Sequence, residues 1–271
     1  MSDFVFAASP TPAWSSAARA GRRLGQVVEH HAEIGSTNDR AREALSAPGG
    51  DGLAVVADRQ ITGRGRMGRA WLSPAGANLL VSVGLQLDLP VERAWWLGAA
   101  SALAVRAAAS PWVELHIRWP NDLVTGEGLK AAGLLAETQM EGERLMSAVL
   151  GMGINVNWAR SEMPPDIAPG ATSLAEEAGG SVDRVALLAA LLESLDEEIG
   201  AVEAGISPLA RFQAASWLTG QAIEVETPAG RLSGVAGPVA DTGGLLLTGP
   251  AFQTTISVGE VIRVHARGAG A

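Results

Sequence analysis

The 271-residue chain contains no cysteine. This absence excludes disulfides, thiolate zinc sites and any mechanism that passes through an enzyme-bound thioester. The four histidines, His30, His31, His116 and His265, lack the spacing of metal ligands. No apolar run reaches the ~18 residues that a membrane span needs, and the N-terminus lacks the basic region and continuous apolar core of a secretory signal. We therefore expect a cytoplasmic protein that is not bound to a membrane.

Positive charge is scarce and unevenly distributed. Asp and Glu number 29 against 20 for Lys and Arg, a formal net charge of −9, which argues against general binding to nucleic acid or a membrane surface. Lys130 is the single lysine among 19 arginines. Four arginines, beginning with Arg59, fall between positions 59 and 69 with no acidic residue among them. So dense a cluster in an acidic chain predicts a site for an anion.

Hydrophobic periodicity predicts an α+β fold in which helices pack on a mixed sheet. The first helix is expected to begin near Ser36, because Ser36 and Asp39 have the spacing of a capping box. Strand patterns lie at 52–60, 78–87, 112–124, 128–139 and 144–158, and further helical patterns lie at 91–110, 183–205 and 207–216.

The texture of the chain changes after Trp217. Short alternating strands separated by glycine-rich turns replace the helical patterns. We therefore predict a main domain at 27–218 and a small β-barrel at 219–271. Residues 1–26 are expected to form an N-terminal extension that is frayed or disordered.

The stretch GRGRMGR at 63–69 joins two predicted strands. Its glycines permit positive φ and leave room for a ligand against the backbone, and its arginines offer planar forks suited to phosphate or carboxylate. The stretch lacks the P-loop lysine, and it leads into a strand rather than the helix of a Rossmann turn. The alternative is an RNA-binding arginine-glycine tract, although such tracts are usually repeated and disordered.

Five motifs, in order, resemble those of biotin–protein ligases. They are STN at 36–38, Q-x-x-GRGRxGRxW at 60–71, WPND at 119–122, K-x-x-G-x-L-x-E at 130–137 and GxGxNVN at 151–157. The resemblance runs from about Val27 to the end, and it implies a biotin/lipoate ligase-like catalytic domain followed by an SH3-like β-barrel. Such ligases use ATP and Mg²⁺ to make biotinyl-5′-AMP with release of pyrophosphate. They then transfer biotin to one lysine of a biotin carboxyl carrier protein or domain.

The resemblance also implies roles for individual residues. Lys130 and Arg66 are the expected catalytic residues. The compact ammonium of Lys130 fits between a carboxylate and an α-phosphate. Asp122 is the expected ligand of Mg²⁺. The residues expected to bind biotin are Ser36, Thr37, Asn38, Gln60, Arg64, Gly65, Arg66 and Lys130. Those expected to bind ATP or the adenylate are Gly63, Gly68, Arg69, Trp71, Asn121, Asp122, Gly133 and Asn155.

Several of these residues have structural alternatives. Ser36 suits a helix cap, Gln60 an exposed strand end, Trp71 a hydrophobic core, and Asn121 with Asp122 a turn between strands.

Two regions depart from the family pattern or leave it open. Met67 stands where a basic residue is frequent in the family, which puts a phosphate contact there in doubt. Near the C-terminus, His265 stands where family members often carry an arginine, with Arg263 and Arg267 nearby, and which of the three contacts ATP is left open.

The expected partner is a carboxylase carrier domain, bound transiently by a monomer or homodimer. DNA binding is not expected, because only 35 residues precede Ser36 and they lack the two helices of a helix-turn-helix. A lipoate ligase would share the fold and the activation chemistry, but its family lacks the GRGRxGRxW loop. A non-catalytic biotin sensor would keep the polar contacts to biotin and bind ATP poorly.

Overall fold

Two sheets organise the chain in the computed structural model, which describes residues 13–18 and 22–265. The larger sheet has the strand order β1-β2-β3-β7-β6-β5-β4. Only β1 and β2 pair in parallel, and the other neighbours are antiparallel, so the predicted mixed sheet is confirmed. Its strands are β1 (Val28–His31), β2 (Ala54–Ala57), β3 (Leu79–Pro90), β4 (His116–Arg118), β5 (Asp122–Val124), β6 (Lys130–Glu141) and β7 (Arg144–Ile154).

Helices pack on this sheet. In α2 the side chains of Leu97 and Val105 are fully buried, because the helix lies between α4 and the strands β6 and β7. Each such side chain contributes about 1.5–3 kcal/mol. Within 13–18 and 22–265, no helix is long and apolar enough to cross a membrane. The helices are α1 (Thr37–Ala44), α2 (Ala94–Ala109), α3 (Leu174–Ala178), α4 (Arg184–Glu203) and α5 (Leu209–Ala214).

The first helix begins where the sequence predicts, but a different residue satisfies its N-terminus. Ser36 occupies the N-cap position with an extended backbone, and its hydroxyl makes no capping hydrogen bond. Instead, the amide N–H of Thr37 donates to Gln60 Oε1 at 2.8 Å, which satisfies one of the free helix donors. Asp39 pairs with arginine side chains. The predicted capping box is therefore wrong.

The C-terminal sheet is antiparallel with the order β11-β10-β9-β8-β12, as expected for the SH3-like module. Its inner side chains continue the core of the larger sheet. Trp119 Nε1 donates to the carbonyl oxygen of Gly243 at 2.9 Å, and Trp95 Nε1 donates to that of Asp241, so two indoles hold the turn before β10. The strands are β8 (Ala222–Thr227), β9 (Gly230–Val239), β10 (Leu245–Gly249), β11 (Phe252–Ile256) and β12 (Glu260–Val264).

The described part of the predicted N-terminal extension is packed rather than frayed. One turn of 3₁₀ helix spans Trp14–Ala17, and Trp14 and Leu24 are 3% and 0% exposed. The amide N–H of Leu24 donates to Asp196 Oδ1 at 3.0 Å, which ties the segment to α4. Burial of these apolar side chains outweighs the fraying that their polar surroundings predict. Residues 1–12 and 19–21 lie outside the described residues.

Candidate functional site

A cavity of about 380 Å³ lies over the middle strands of the larger sheet. Strands β3, β6 and β7 contribute its floor, where small residues of β6 and β7 leave space above the sheet. The start of α1 and the loop between β2 and β3 contribute the walls, together with the segment 166–171.

The fold brings most of the predicted site residues to this cavity. Every residue predicted to bind biotin lines it, as do five of the residues predicted to bind ATP: Arg69, Trp71, Asn121, Gly133 and Asn155. Gly63, Gly68 and Asp122 are not part of the lining, although Asp122 contacts the lining residue Lys130. The fold thus brings residues of five separated motifs to one cavity. Their contacts with biotin and ATP stay predictions.

A chain of hydrogen bonds runs along one wall of the cavity. The hydroxyl of Thr37 donates to Gln60 Oε1 at 3.1 Å and lies 2.7 Å from Ser82 Oγ. The Ser82 hydroxyl donates to Asn38 Oδ1 at 2.6 Å, and Asn38 Nδ2 donates to Glu137 Oε2 at 2.6 Å. Thr37, Asn38 and Ser82 are buried, where partners are needed to offset desolvation. The wall is therefore preorganised, and its lining residues are neutral, since Glu137 lies behind them and outside the cavity lining.

Sequence reasoning missed Ser82 and the role of Glu137. Ser82 is a hydroxyl inside the apolar run of β3 and is fully buried. A polar residue at a core position of a strand is the signal that could have marked it.

Arg64 is held by a carboxylate beside the cavity. Its two terminal nitrogens donate to the two oxygens of Asp39 at 2.6 and 2.8 Å. This fork, with a smaller contribution from Arg42, lowers the pKa of Asp39 to about 2 against the opposing effect of its partial burial. Arg42 also donates to Glu137 at 2.7 Å, so the polar wall and the arginine loop belong to one network.

We expect the contribution of Asp39 to stability to be constant above about pH 4 and to be lost as the pH falls towards about 2. Above the ordinary aspartate pKa of ~3.9 the carboxylate is ionised in the folded and in the unfolded state. The folded state loses the ion pair only as the pH falls through its lowered pKa of about 2. Chemical denaturation of wild type and Asp39→Asn across this range measures the difference. It should stay below ~1 kcal/mol because Asp39 is 47% exposed, and a difference that grows on acidification would contradict the assignment.

Two cations at the cavity differ in their partners. Lys130 Nζ lies 2.6 Å from Asp122 Oδ1 and 5.4 Å from the centre of the Trp71 ring. Arg66, among the described residues, has no side-chain partner. Partial burial lowers the pKa of the Arg66 guanidinium, and the neighbouring charge of Arg69 lowers it further. An arginine nevertheless stays protonated. Asp122 and Glu260 attract its charge, but no described carboxylate forms an ion pair with it, so the site favours an anion.

The loop also contacts the C-terminal sheet. Arg69 forms an ion pair with Glu260 at the start of β12. Arg263 and His265, two of the residues considered above for contact with ATP, lie near a different carboxylate. They are 3.5 and 3.2 Å from Glu224 Oε1. Arg267 lies outside the described residues.

Met67 adopts a left-handed backbone conformation at φ 56°, alone among the non-glycine residues that the structure describes. Its side chain is 67% exposed. For a residue with a Cβ this conformation costs roughly 1–2 kcal/mol. Such strain is typical of functional loops, and here it turns the chain between Arg66 and Arg69.

Trp71 depends on glycines in the sheet beneath it. A Cβ at Gly153 would lie 2.5 Å from the indole, and one at Gly133 would lie 2.7 Å from it. The indole Nε1 is buried without a hydrogen-bond partner among the described residues. A buried donor beside a polar cavity is costly unless a ligand or water accepts from it.

Replacing Gly153 with alanine should displace Trp71 and so weaken binding of ATP, which Trp71 is predicted to contact. The strand backbone cannot retreat, because β7 is paired on both sides, so the ring must move. Gly98→Ala is the matched control, since no atom lies within 4 Å of its added Cβ and helical alanine is stabilising by about 1 kcal/mol. Tryptophan fluorescence and binding of ATP measure the effect. Unchanged nucleotide affinity in Gly153→Ala would contradict the placement of Trp71.

The described residues contain no group of three or more His, Asp or Glu side chains arranged for a metal ion. Asp122 lies 2.6 Å from Lys130 Nζ, and it also accepts from Arg118 at 2.9 Å. One carboxylate together with phosphate oxygens is a usual environment for Mg²⁺. Asp122 therefore fits as a partial ligand whose other ligands would come from a nucleotide.

Comparison with known proteins gives consistent matches. Residues 32–155 match the model of the biotin/lipoate A/B protein ligase family. The biotin–[acetyl-CoA-carboxylase] ligase of Mycobacterium tuberculosis is 35% identical over 86% of this chain and 88% of that protein. A bifunctional ligase/repressor of Bacillus subtilis is also 35% identical, and the chain spans 52% of its length. The biotin protein ligase of Aquifex aeolicus, solved with biotin and ATP, superposes with a TM-score of 0.72 at 27% identity, covering 87% of this chain and 97% of that one.

Proposed function

The chain belongs to the biotin/lipoate A/B protein ligase family, and from this premise we propose that it is an ATP-dependent biotin–protein ligase. It activates biotin as biotinyl-5′-AMP with release of pyrophosphate and transfers biotin to a lysine of a carboxyl carrier protein. The observation that carries the proposal is that one cavity holds two cations, Arg66 without an ion pair and Lys130 paired with Asp122, opposite a polar wall of hydroxyl and amide groups.

The two cations suit the first chemical step. Adenylation brings the biotin carboxylate to the α-phosphate of ATP, and two unit charges ~4 Å apart repel by ~4 kcal/mol at an effective dielectric of ~20. Arg66 and Lys130 offset this repulsion where the anions meet. Preorganised charges of this kind need no rearrangement during the reaction.

The polar wall suits the other end of biotin. The ureido ring needs both donors and acceptors, and the wall supplies hydroxyl and amide groups of Thr37 and Gln60 held by Ser82 and Asn38. The Ser36 hydroxyl, which caps no amide, is available for the same ring. Val81 and Met152 give the cavity an apolar surface for the rest of the molecule.

The second step cannot pass through an enzyme-bound thioester, since the chain has no cysteine, and we propose direct transfer to the acceptor. The acceptor lysine attacks the mixed anhydride, its amine forms the amide bond, and AMP leaves with the electron pair. The loop between β2 and β3 covers the adenylate and limits hydrolysis. Mg²⁺ would supply charge neutralisation at the phosphates, and Asp122 would hold it on the protein side. The carrier protein as partner and the cytoplasm as location are part of the same proposal.

Pyrophosphate exchange into ATP, run with biotin, with lipoate and with neither, tests the function. We expect exchange with biotin only, followed by labelling of an added carrier domain. Exchange with lipoate alone would replace the substrate, and biotin binding without any exchange would replace the ligase by a sensor.

A further inference from the structure

Arg184 is the one charged residue that is buried among those the structure describes, at 6% exposure. It is the first residue of α4 and does not line the cavity. A buried guanidinium is costly to desolvate and persists only with well-placed partners. Its partners therefore indicate what it holds together.

Those partners are the two ends of the loop that carries the arginine-glycine motif. Arg184 Nη1 donates to Asp58 Oδ1 and to the carbonyl oxygen of Asn78, each at 3.1 Å. Asp58 directly follows β2, and Asn78 directly precedes β3. The Gly76 N–H also donates to the carbonyl oxygen of Asp58 at 3.0 Å. One side chain of α4 thus closes the base of a loop that spans residues 58–78.

The N-terminal segment covers this contact. The Trp14 ring lies 5.1 Å from the Arg184 guanidinium carbon and stacks on His30 with ring centres 5.8 Å apart. His30 Nε2 lies 2.8 Å from Asp58 Oδ2, so both oxygens of Asp58 are engaged. A cation over the face of a buried tryptophan is attracted to the ring, and the indole shields the Arg184 guanidinium, whose side chain is 5% exposed, from water.

The base of the loop is also joined to the cavity wall. Asn78 Oδ1 accepts from the Val156 N–H at 2.9 Å, and Asn78 Nδ2 donates to Ser73 Oγ at 3.1 Å. Movement of Asn78 would therefore reach the wall beside Asn155 as well as the segment that carries Trp71.

We propose that Arg184, covered by Trp14, is a positioning residue that clamps both ends of the 58–78 loop and so sets how firmly the loop covers the bound nucleotide. Its effect on catalysis rests on the proposed ligase function, whereas its effect on the loop does not. We expect nucleotide binding to depend on it, because the loop contributes Arg69 and Trp71, which are predicted to bind ATP, to the cavity lining.

Limited trypsin digestion of the full chain, read by mass spectrometry, measures the loop directly, since the rate of cleavage after Arg64, Arg66 and Arg69 rises as the segment around them opens more often. Loss of a hydrogen-bonded charge should raise the opening population by about tenfold or more, so Arg184→Met should be cut there at least about tenfold faster than wild type. The KM for ATP should rise by a similar factor, more than kcat falls. Arg184→Lys, which can still reach one of the two partners, should recover part of both effects.

Arg93→Met is the matched control. Like Arg184, Arg93 is an arginine that lies over an indole, that of Trp96 at 5.4 Å, and donates to the backbone of another element. Its acceptors are the carbonyl oxygens of Val202 and Glu203 in α4. It does not contact the loop, so loop cleavage should equal that of wild type. Asp58→Asn, which weakens the same clamp from the other side, keeps the test open if Arg184→Met does not fold.

Loop cleavage that rises equally in Arg93→Met and Arg184→Met, or stays at the wild-type rate in both Arg184→Met and Asp58→Asn, would overturn the proposal. Faster loop cleavage in Arg184→Met beside a wild type without biotin-dependent exchange would support the clamp and reject the ligase. A wild type with biotin-dependent exchange, together with unchanged loop cleavage in Arg184→Met and Asp58→Asn, would support the ligase and reject the clamp.

Discussion

Replacing Lys130 with alanine is expected to lower biotin-dependent pyrophosphate exchange by about 10²- to 10³-fold, the usual effect of removing one preorganised charge-stabilising group. The ammonium stands between Asp122 at 2.6 Å and the Trp71 ring at 5.4 Å. Without it, Asp122 would keep only Arg118 as a cationic partner, and no ammonium would stand between its carboxylate and the two incoming anions. The loss should therefore appear in the chemical step more than in affinity for biotin.

Lys130→Arg should not restore exchange. Gly133 lies so close that even an added Cβ there would be 3.1 Å from Lys130 Cε, which leaves little room for a planar fork. Arg118→Met is the control, because it removes the other cation at Asp122 from a residue outside the cavity lining. Wild-type exchange in Lys130→Ala would remove Lys130 from the mechanism, as would equal losses in the two variants.

The Lys130 variants also give a clean background for acceptor assays. They contain no lysine, so self-labelling is confined to the N-terminal amine. In the wild type we expect slight self-labelling, confined to Lys130 and the N-terminal amine, because Lys130 is the single lysine.

Arg66→Gly is expected to release the adenylate and to label lysines of any added protein. Arg66 is the cation at the cavity without a described side-chain partner, and its pKa is lowered by burial and by Arg69. An adenylate phosphate would relieve this charge, so affinity for the intermediate should fall by at least about tenfold when one charge-assisted hydrogen bond is lost. Free biotinyl-5′-AMP then reacts in solution with exposed amines.

Biotin incorporated into an added lysine-rich protein measures the leakage, with a carrier domain labelled in parallel. Arg59→Gly is the control, because Arg59 belongs to the same cluster but pairs with Glu33 at 2.8 Å and is 57% exposed outside the cavity lining. Labelling that stays confined to the carrier domain, together with normal turnover, would contradict the role of Arg66.

Local pattern was enough to predict much of the fold. The alternating apolar run that contains Val81 forms β3, and the periodic run after Asp183 forms α4. These predictions hold because side-chain period and capping act within a few residues. The run 112–124 was predicted as one strand and forms two, β4 and β5, since a turn at Trp119 and Pro120 reverses the chain.

The residues that hold the site in shape were beyond local pattern. Ser82 and Thr37 are 45 positions apart, Asn38 and Glu137 are 99 apart, and Arg184 and Asp58 are 126 apart. Each is an ordinary polar residue in its own stretch, and nothing nearby marks its partner. The same is true of Trp14, whose stretch reads as a polar extension.

The sequence by itself determined the chemistry of this protein: an arginine-glycine loop and one lysine in an acidic, cysteine-free chain, in motifs of recognisable order. Only the tertiary structure decided which charges are compensated. It pairs Arg64 with Asp39, Lys130 with Asp122 and Arg69 with Glu260, and leaves Arg66 without a described partner. The physical reason is that charge type is a property of each residue, whereas compensation depends on distances of a few ångströms between residues that folding alone brings together.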